Sequence, residues 1–374
     1  MGNKKKGDNT LMKRFRTIPF LIILVLSFFF VSYMSFCQMK TENFSFTYDS
    51  IKYSGFIKLP EKNDPTSIII IVPGSGKSNF FTGNWLWFND LFSRFVQDGL
   101  ACCVWDKAGC GKSEGTFDEK TVQNSSKEVL AAIEELKRLR IPGSDKIGLW
   151  GISRAGWICP LVIEQYPSIV FWISVSGADD KDNLRYLLES NFRINGRSES
   201  ETRLLMAEWD HLNRVLQKGG ETFDELKAAT KHLFQDPYYK SLGLGEPTEA
   251  EDFYKYQKYY QSRGYVFDEV TGMQILVPDF KGTLNKIQCP VLAIFGEKDF
   301  HVNWRKTVAL YKETIGSNSK AELTIKTFPD CNHIIQKCET GGNTEDLKKK
   351  GLGQPCDGFF DTMLTWLKEH GFTK

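Results

Sequence analysis

The sequence has almost no excess of either charge. Its 48 lysines and arginines stand against 46 aspartates and glutamates, which gives a formal net charge of +2. The first 37 residues hold six of the basic residues and Asp8, and taking six positive charges and one negative charge from +2 leaves −3. Because nucleic acid binding requires a basic surface, this balance excludes nucleic acid as the expected partner.

A complete phosphate-binding loop is also missing. The segments Gly76-Lys77-Ser78 and Gly111-Lys112-Ser113 both end like such a loop, and both follow an apolar strand. The loop requires a glycine five positions before its second glycine. Those two positions hold Ile71 and Asp106. The pattern therefore excludes an NTPase.

Histidine is scarce, and this narrows the choice of a general base. The five histidines are His211, His232, His301, His333 and His370. His211 and His232 lie in charged, helix-like runs, and His370 lies at the end of the last predicted helix. A partly exposed helix histidine is the ordinary interpretation of these three, so His301 and His333 remain as candidates.

The apolar run from Ile18 to Phe36 contains no charge and follows the six basic residues, as is typical of a bacterial-type export signal. Three outcomes stay open. The small residues Ser35 and Cys37 suit cleavage before Gln38. Alternatively, Cys37 is lipidated, although the bulky Phe36 argues against this. As a third alternative, the apolar run is nearly long enough to span a bilayer as an uncleaved anchor. We expect an exported bacterial protein, periplasmic or associated with the cell envelope, with membrane attachment through this segment left open.

Nine cysteines are many for an exported chain. Four of them lie in apolar contexts that predict buried thiols: Cys102, Cys103, Cys159 and Cys289. Cys338 and Cys356 bracket a polar loop from Gly341 to Gly353, and a disulfide that closes this loop stays open as one of two interpretations.

A repeated alternation of strands and helices follows the N-terminal segment. An antiparallel pair is expected over 42–59, and apolar strands are expected at 67–72, 101–106, 146–150, 169–176, 291–295 and 322–328. Amphipathic helices are expected near 86–97, 126–139, 154–165, 304–315 and 359–370. This alternation predicts a mainly parallel sheet with helices on both faces.

One stretch, roughly 179–280, breaks the alternation because it is charged, aromatic and helix-like. We interpret it as a helical cap inserted into the core, which gives residues 1–37 as signal or anchor, 38–178 and 281–374 as core, and 179–280 as cap. An insertion there would overhang the carboxyl ends of the strands. Its aromatic residues either line an acyl pocket or pack as a helical core: Trp209, Phe253, Tyr254, Tyr256 and Tyr259.

The segment Lys146 to Gly156 runs from an apolar strand through a small-residue turn into an apolar helix, with Ser153 at the apex. A serine there has an exposed hydroxyl, and small neighbours let the backbone turn sharply. The usual second glycine is Ala155 here, with Gly156 one place later. The segment predicts a nucleophile elbow.

A serine hydroxyl becomes a good nucleophile only when a histidine accepts its proton and a carboxylate orients that histidine. After an elbow serine the expected order is acid, then histidine. Asp299 follows a fully apolar strand, and His333 follows the last predicted strand. We predict the triad Ser153, Asp299 and His333, with Glu297 as the competing acid and His301 as the competing base.

Acyl transfer also needs donors for the oxyanion. The amide after the nucleophile belongs to Arg154, and the loop Pro73 to Gly76 after an earlier strand supplies a second candidate, the amide of Ser75.

These motifs together resemble the α/β-hydrolase superfamily, and within it exported bacterial hydrolases related to serine aminopeptidase-like and prolyl-oligopeptidase-like esterases. Gly151 to Trp157 looks like that group's elbow, and Trp105 to Gly115 resembles its Asp-x-x-Gly-x-Gly-x-Ser turn, which is structural. Gly296 to Asp299 and Asn332-His333 look like its acid and histidine loops. The resemblance covers about 42–178 and 280–370 and implies an α/β-hydrolase fold and an acyl-enzyme mechanism, without cofactor or metal.

The expected substrate is a small-molecule ester or a short peptide. A carboxylic ester hydrolase leads, a serine peptidase or thioesterase on the same scaffold is the alternative, and a non-catalytic binding protein is the remote one. The cap shows no acidic pair that would clearly hold a peptide amino group.

Overall fold

The computed structural model describes Gly2 and residues 39–61, 64–80, 87–118, 120–243, 249–341 and 353–373. The chain divides into two compact units, Met1–Gln38 and Met39–Lys374. The predicted export segment and its three alternatives lie outside the described residues. Within those ranges, no helix has the length and apolar character that a membrane span requires.

Ten strands are present in the described ranges, and eight of them form one sheet. In chain order they are β1 (Met39–Tyr48), β2 (Ile51–Pro60), β3 (Ile68–Val72), β4 (Ala101–Trp105), β5 (Ile147–Ile152), β6 (Phe171–Val175), β7 (Val266–Phe267), β8 (Gln274–Ile275), β9 (Val291–Gly296) and β10 (Leu323–Phe328). The large sheet has the order β1-β2-β4-β3-β5-β6-β9-β10, while β7 and β8 form a small antiparallel pair. Only the β1–β2 and β2–β4 pairings of the large sheet are antiparallel. The predicted mainly parallel α/β fold is confirmed.

The central strands are nearly all apolar because helices cover both faces of the sheet. In β3, Ile68, Ile70 and Val72 face one apolar cluster, whereas Ile69 and Ile71 face the other. Because successive side chains of a strand point to opposite faces of the sheet, one continuous hydrophobic run contributes side chains to both apolar clusters.

The helices in the described ranges are α1 (Phe88–Gln97), α2 (Val122–Arg138), α3 (Ala155–Gln165), α4 (Leu184–Ile194), α5 (Glu199–Lys218), α6 (Phe223–Ala229), α7 (Lys231–Gln235), α8 (Pro237–Ser241), α9 (Ala250–Ser262), α10 (Phe280–Asn285), α11 (Trp304–Glu313) and α12 (Phe359–Glu369). Helices α1 and α12 pack on one face of the sheet, and α2, α3, α10 and α11 pack on the other.

Helices α4 to α9 and the β7–β8 hairpin lie between β6 and β9 and have an apolar cluster of their own. Trp209 and Phe253 are buried in this cluster, whereas Tyr254, Tyr256 and Tyr259 are exposed. For Trp209 and Phe253 the structure therefore supports the alternative of a packed helical core, and the other three aromatic residues face solvent.

The disulfide of this structure joins Cys331 to Cys356, so the proposed pairing of Cys338 with Cys356 is wrong. The chain after β10 folds back on itself, and the Cys356 amide donates to the Ile335 carbonyl at 3.0 Å. The chain pairs Cys331 with Lys337 and Gln336 with Pro355. The Cα atoms of Cys331 and Cys356 lie 6.3 Å apart. Cys338 is buried and lies outside the disulfide.

The four cysteines that were predicted to be buried thiols are confirmed as such: Cys102, Cys103, Cys159 and Cys289. Burial raises the pKa of each of these thiols, because the thiolate would lose its hydration.

Candidate active site

Ser153 lies at the turn between β5 and α3 and adopts a left-handed conformation, with φ at 57°. Residues other than glycine seldom occupy this region, and they do so mostly where the surrounding structure enforces it. The surroundings here are tight. A Cβ atom on Gly151 would lie 2.7 Å from the sulfur of Cys159 and 2.8 Å from the Cβ atom of Ala155.

Gly156, one place beyond the usual second glycine, is where α3 meets the next strand end. A Cβ atom on Gly156 would lie 2.8 Å from both the amide nitrogen of Ala178 and the Cα atom of Gly177. Ala155 is fully buried and fits its place. With alanine at position 155, the close approach between α3 and the end of β6 is therefore made by Gly156, one residue later than in the usual pattern.

The carboxyl ends of β5, β6 and β9 are joined by main-chain hydrogen bonds at this edge of the sheet. The Ser153 amide donates to the Val175 carbonyl at 2.9 Å, and the Ser176 amide donates to the Ile294 carbonyl at 2.8 Å. The Ser176 hydroxyl donates to the His333 carbonyl at 2.6 Å. One network thus connects the serine turn to the histidine loop.

Asp299 and His333 form a direct pair. The Nδ1 atom of His333 lies 2.8 Å from Oδ2 of Asp299, which is fully buried. The other carboxylate oxygen accepts the amides of His301 and Val302, each at 2.9 Å. Because the carboxylate accepts, we assign the proton to Nδ1, and Nε2 of His333 is left as the basic nitrogen.

The competing residues are placed differently. Glu297 accepts the hydroxyl of Thr327 at 2.7 Å instead of contacting a histidine. The ring of His301 stacks on that of His333, with centroids 4.9 Å apart and planes 8° from parallel. Burial, and next the neighbouring His333, lower the pKa of His301 to about 4.

His333 lies in a tight turn that the side chain of Asn332 stabilises. The side-chain oxygen of Asn332 accepts the amides of Ile334 and Gln336 at 3.1 and 3.0 Å. Such side-chain bonds to nearby amides stabilise tight turns, here directly after β10.

The loop after β3 lies against the serine. A Cβ atom on Gly74 would lie 3.2 Å from the Cβ atom of Ser153. Ser75 is exposed. Lys107, which the sequence analysis passed over, reaches this loop with its ammonium group 2.7 Å from the Gly74 carbonyl and 2.8 Å from the Gly76 carbonyl.

The side chain of Arg154 is buried beside α2. Its guanidinium group donates to the Ser125 hydroxyl at 3.2 Å and to the Lys120 carbonyl. The guanidinium charge is therefore held by α2 and the segment before it, and the predicted contribution of Arg154 to the site is its main-chain amide alone.

Among the described residues, the Ser153 hydroxyl has no hydrogen bond to His333. Catalytic hydrogen bonds are often long in proteins without substrate and shorten in the complex. The same ranges contain no group of three or more His, Cys, Asp or Glu side chains that could hold a metal ion.

The fold is that of an α/β hydrolase: a mainly parallel sheet lies between two helical layers. A serine in the left-handed backbone conformation lies between β5 and α3, and an acid–histidine pair lies at the same strand ends. The sequence profile of the X-Pro dipeptidyl-peptidase (S15) family matches residues 34–327, and the chain belongs to this family. It is accordingly a hydrolase.

Solved structures with similar folds include esterases and a peptidase. An esterase of Pyrococcus furiosus has 15% identity and a TM-score of 0.50, with 88% of this chain and 91% of that chain covered. An acylaminoacyl peptidase of Pyrococcus horikoshii has 14% identity and a TM-score of 0.49, with 91% of this chain but 43% of that chain covered. Est1E of Butyrivibrio proteoclasticus, solved with ferulic acid, has 16% identity, a TM-score of 0.47, and coverage of 87% and 96%. At 15% identity and a TM-score of 0.50, the likeness to the Pyrococcus furiosus esterase bears on the fold alone. No curated protein matches the chain.

Proposed function

We propose that this protein is a serine hydrolase that cleaves a carboxylic ester through an acyl-enzyme. The observation that carries the proposal is the Asp299–His333 pair at the strand edge where the strained Ser153 turn also lies. The geometry of an elbow serine near an oriented imidazole suits nucleophilic attack on a carbonyl group.

In the first half of the reaction, Oγ of Ser153 bonds to the carbonyl carbon and its proton passes to Nε2 of His333. The negative charge that develops on the carbonyl oxygen accepts hydrogen bonds from the amides of Ser75 and Arg154. Asp299 stabilises the imidazolium ion that forms. Collapse of the tetrahedral intermediate breaks the bond to the leaving alcohol, which takes the proton from Nε2.

In the second half, water attacks the acyl-enzyme while His333 accepts one of its protons. The same amides hold the second oxyanion. Collapse breaks the bond between the acyl carbon and Oγ of Ser153, which recovers the proton from Nε2, and the carboxylic acid leaves. The site returns to its starting state.

Two carboxylates of the segment 179–280 are already paired with cations, and this weighs against a peptide with a free amino group as far as these two residues are concerned. Asp268 pairs with Lys181 at 2.9 Å, and Asp210 pairs with Arg185. A carboxylate that already has a cationic partner binds a substrate ammonium group weakly. A serine peptidase is the second candidate, because the chain belongs to the X-Pro dipeptidyl-peptidase family.

Replacing triad residues tests the mechanism. We expect Ser153→Ala to lower kcat/KM by about 10⁴-fold or more, and Asp299→Asn by about 10³-fold or more because His333 loses its orienting carboxylate. Matched controls are Ser93→Ala, whose hydroxyl bonds to its own helix at Asn89, and Glu297→Gln. Both controls should keep wild-type activity. Equal turnover by Ser153→Ala and wild type would refute the assignment.

A substrate panel decides between the two candidate functions. A fluorophosphonate probe should label wild type and leave Ser153→Ala unlabelled. A separate, unlabelled sample of wild type is then assayed with p-nitrophenyl esters of increasing acyl length and with aminoacyl and X-Pro p-nitroanilides. Turnover of esters at least 100-fold above anilides supports the esterase, whereas the reverse order supports the peptidase.

We also propose that the protein is exported. The support is the disulfide between Cys331 and Cys356, since disulfides persist in oxidising compartments, together with the basic and apolar N-terminal segment. Fractionation of expressing cells tests this, and recovery of the protein with the cytosol would contradict it.

A further inference from the structure

One residue outside the predicted triad controls the loop beside the nucleophile. The ammonium group of Lys107 donates to the carbonyls of Gly74 and Gly76 at 2.7 and 2.8 Å. The main-chain amide of Lys107 also donates to the Ser78 hydroxyl at 2.7 Å. Lys107 thus contacts the loop at three places.

The neighbouring Asp106 holds the far end of the same loop. Its Oδ1 atom accepts the amide of Phe80 at 2.6 Å, while its carbonyl accepts the hydroxyl of Ser113 at 2.6 Å. The Asp106–Lys107 pair therefore anchors both ends of the segment 74–80. This anchor comes from the turn after β4, and β4 is the sheet neighbour of β3.

Because of the geometry of the peptide bond, the hydrogen bond from Lys107 to the Gly74 carbonyl also affects the orientation of a main-chain donor, the Ser75 amide. The Gly74 carbonyl and the Ser75 amide belong to one planar peptide unit, and in a trans peptide they point in opposite directions. A cation bound to the carbonyl oxygen fixes the rotation of that plane. Since Gly74 lies against Ser153, the direction of the Ser75 amide near the nucleophile depends on Lys107.

The charge of Lys107 adds an electrostatic effect. A charge-assisted hydrogen bond to a carbonyl oxygen is stronger than a neutral one, and it polarises the peptide unit so that its amide becomes a better donor. The Ser75 end of the loop is exposed to solvent, where an unsupported glycine-rich segment would sample several orientations. A fixed amide spends no reorganisation energy when the oxyanion forms.

We propose that Lys107 is a positioning residue for the oxyanion hole, which orients and polarises the Gly74–Ser75 peptide so that the Ser75 amide faces the developing negative charge. This inference rests on the proposed serine hydrolase function. It assigns a role in acyl transfer to the turn whose resemblance implied a structural part only.

The test compares Lys107→Met, Lys107→Gln and Lys107→Arg in the full chain, with Lys137→Met as the matched control. Lys137 is an exposed lysine of α2 that donates to the hydroxyl of Tyr166. With a p-nitrophenyl ester, we expect Lys107→Met and Lys107→Gln to lower kcat by about 10- to 100-fold, a part of the loss that follows removal of a whole oxyanion donor. KM should change by less than about threefold, Lys107→Arg should recover most of kcat, and the control should equal wild type.

A transition-state analogue separates positioning from general damage to the fold. Phenylboronic acid forms a tetrahedral adduct with a nucleophilic serine, so its affinity should fall by the same factor as kcat/KM. If the melting temperature of Lys107→Met is well below that of wild type, damage to the fold would also lower kcat. The deciding quantity is then the association constant for phenylboronic acid divided by 1/KM, measured on folded protein and compared with the same ratio for wild type. An unchanged ratio, or kcat of both neutral variants within twofold of wild type, would overturn the proposal.

The outcomes also distinguish this proposal from the proposed function. Failure of the proposed function would leave wild type unlabelled by the fluorophosphonate probe, or would leave Ser153→Ala as active as wild type. Failure of the positioning role alone would leave wild type labelled and active, with the neutral Lys107 variants equal to it.

Discussion

At the residue scale, two stacked imidazoles have different surroundings. His333 has a buried carboxylate on Nδ1, so a proton gained on Nε2 meets a compensating charge. His301 is partly buried, and desolvation lowers its pKa to about 4. A histidine that resists protonation is a poor proton acceptor at neutral pH, and the geometry therefore favours His333 over His301 as the base.

The lowered pKa of His301 predicts a loss of stability in acid. Above pH 6.5 the residue is neutral in both the folded and the unfolded chain, whereas between pH 6.5 and 4 the unfolded chain binds a proton that the folded protein rejects. The free energy of unfolding should therefore fall as the pH falls through this window. We expect His301→Phe, which keeps the stacked ring, to lose about 2 kcal/mol less than wild type between pH 7.5 and 4.5.

Urea unfolding at the two pH values measures this difference, and the groups shared by both proteins cancel in the comparison. Equal losses in wild type and His301→Phe would contradict the prediction.

Sequence reasoning reached some residues of the candidate site because their chemistry is tied to chain position. Ser153 and Asp299 follow apolar strands, and such strand ends meet at one edge of a parallel sheet. Lys107 also follows a strand, yet its contacts with Gly74 and Gly76 depend on how a distant loop is folded, and spacing along the chain does not encode that. The sequence does place Lys107 in the turn after an apolar strand, but it does not show that this strand neighbours β3.

At the element scale, α3 begins where almost no space is left for a side chain. A Cβ atom on Gly156 would contact main-chain atoms of Gly177 and Ala178, which cannot rotate away as a side chain would. We expect Gly156→Ala to destabilise the protein by about 1–3 kcal/mol and to lower kcat by displacing the start of the helix behind Ser153.

Thermal unfolding and ester turnover test this prediction. The control is Gly316→Ala, where the nearest atom to an added Cβ, Cδ2 of Leu323, lies at an ordinary 3.4 Å. Equal melting temperatures for the two variants would refute the claim.

The elements of the large sheet could be predicted from the sequence, whereas the helices between β6 and β9 could be predicted only in part. Buried parallel strands are nearly all apolar, so their runs stand out, as in β3 and β9. The cap helices α6 to α8 have seven, five and five residues, which is too short for a helical period to show. Capping boxes at Ser198 and Thr222 mark two of the helix starts and are readable from the sequence.

At the scale of the whole molecule, a disulfide ties the histidine loop to the segment before α12. Cys331 lies two residues before His333, and its partner Cys356 is 25 residues further on. Closing a loop of this length stabilises a protein by about 3.5 kcal/mol in the chain-entropy account. We expect dithiothreitol to lower the melting temperature of wild type and to leave that of the Cys331→Ser, Cys356→Ser double variant unchanged.

Cys338→Ser serves as the control that separates the two pairings. With Cys331 joined to Cys356, this variant should still respond to dithiothreitol as wild type does. Loss of the response in Cys338→Ser would instead support the pairing of Cys338 with Cys356. The sequence could not distinguish them because the choice depends on the register in which the chain folds back at Ile335.

The position of helices α4 to α9 in the chain, between β6 and β9, also bears on the order of folding. Gly148 of β5 pairs with Phe171 of β6, which is close along the chain, whereas Trp172 of β6 pairs with Val291 of β9 across the whole cap. Closing a longer loop costs more chain entropy, and contacts distant in sequence slow folding. A chain that emerges from its N-terminal end can therefore form the turn of Ser153 well before Asp299 and His333 arrive. Until β9 and β10 join the sheet, the Ser153 hydroxyl would have no histidine to accept its proton and would react as an ordinary alcohol. The hydroxyl would therefore become reactive in the same step that completes the sheet.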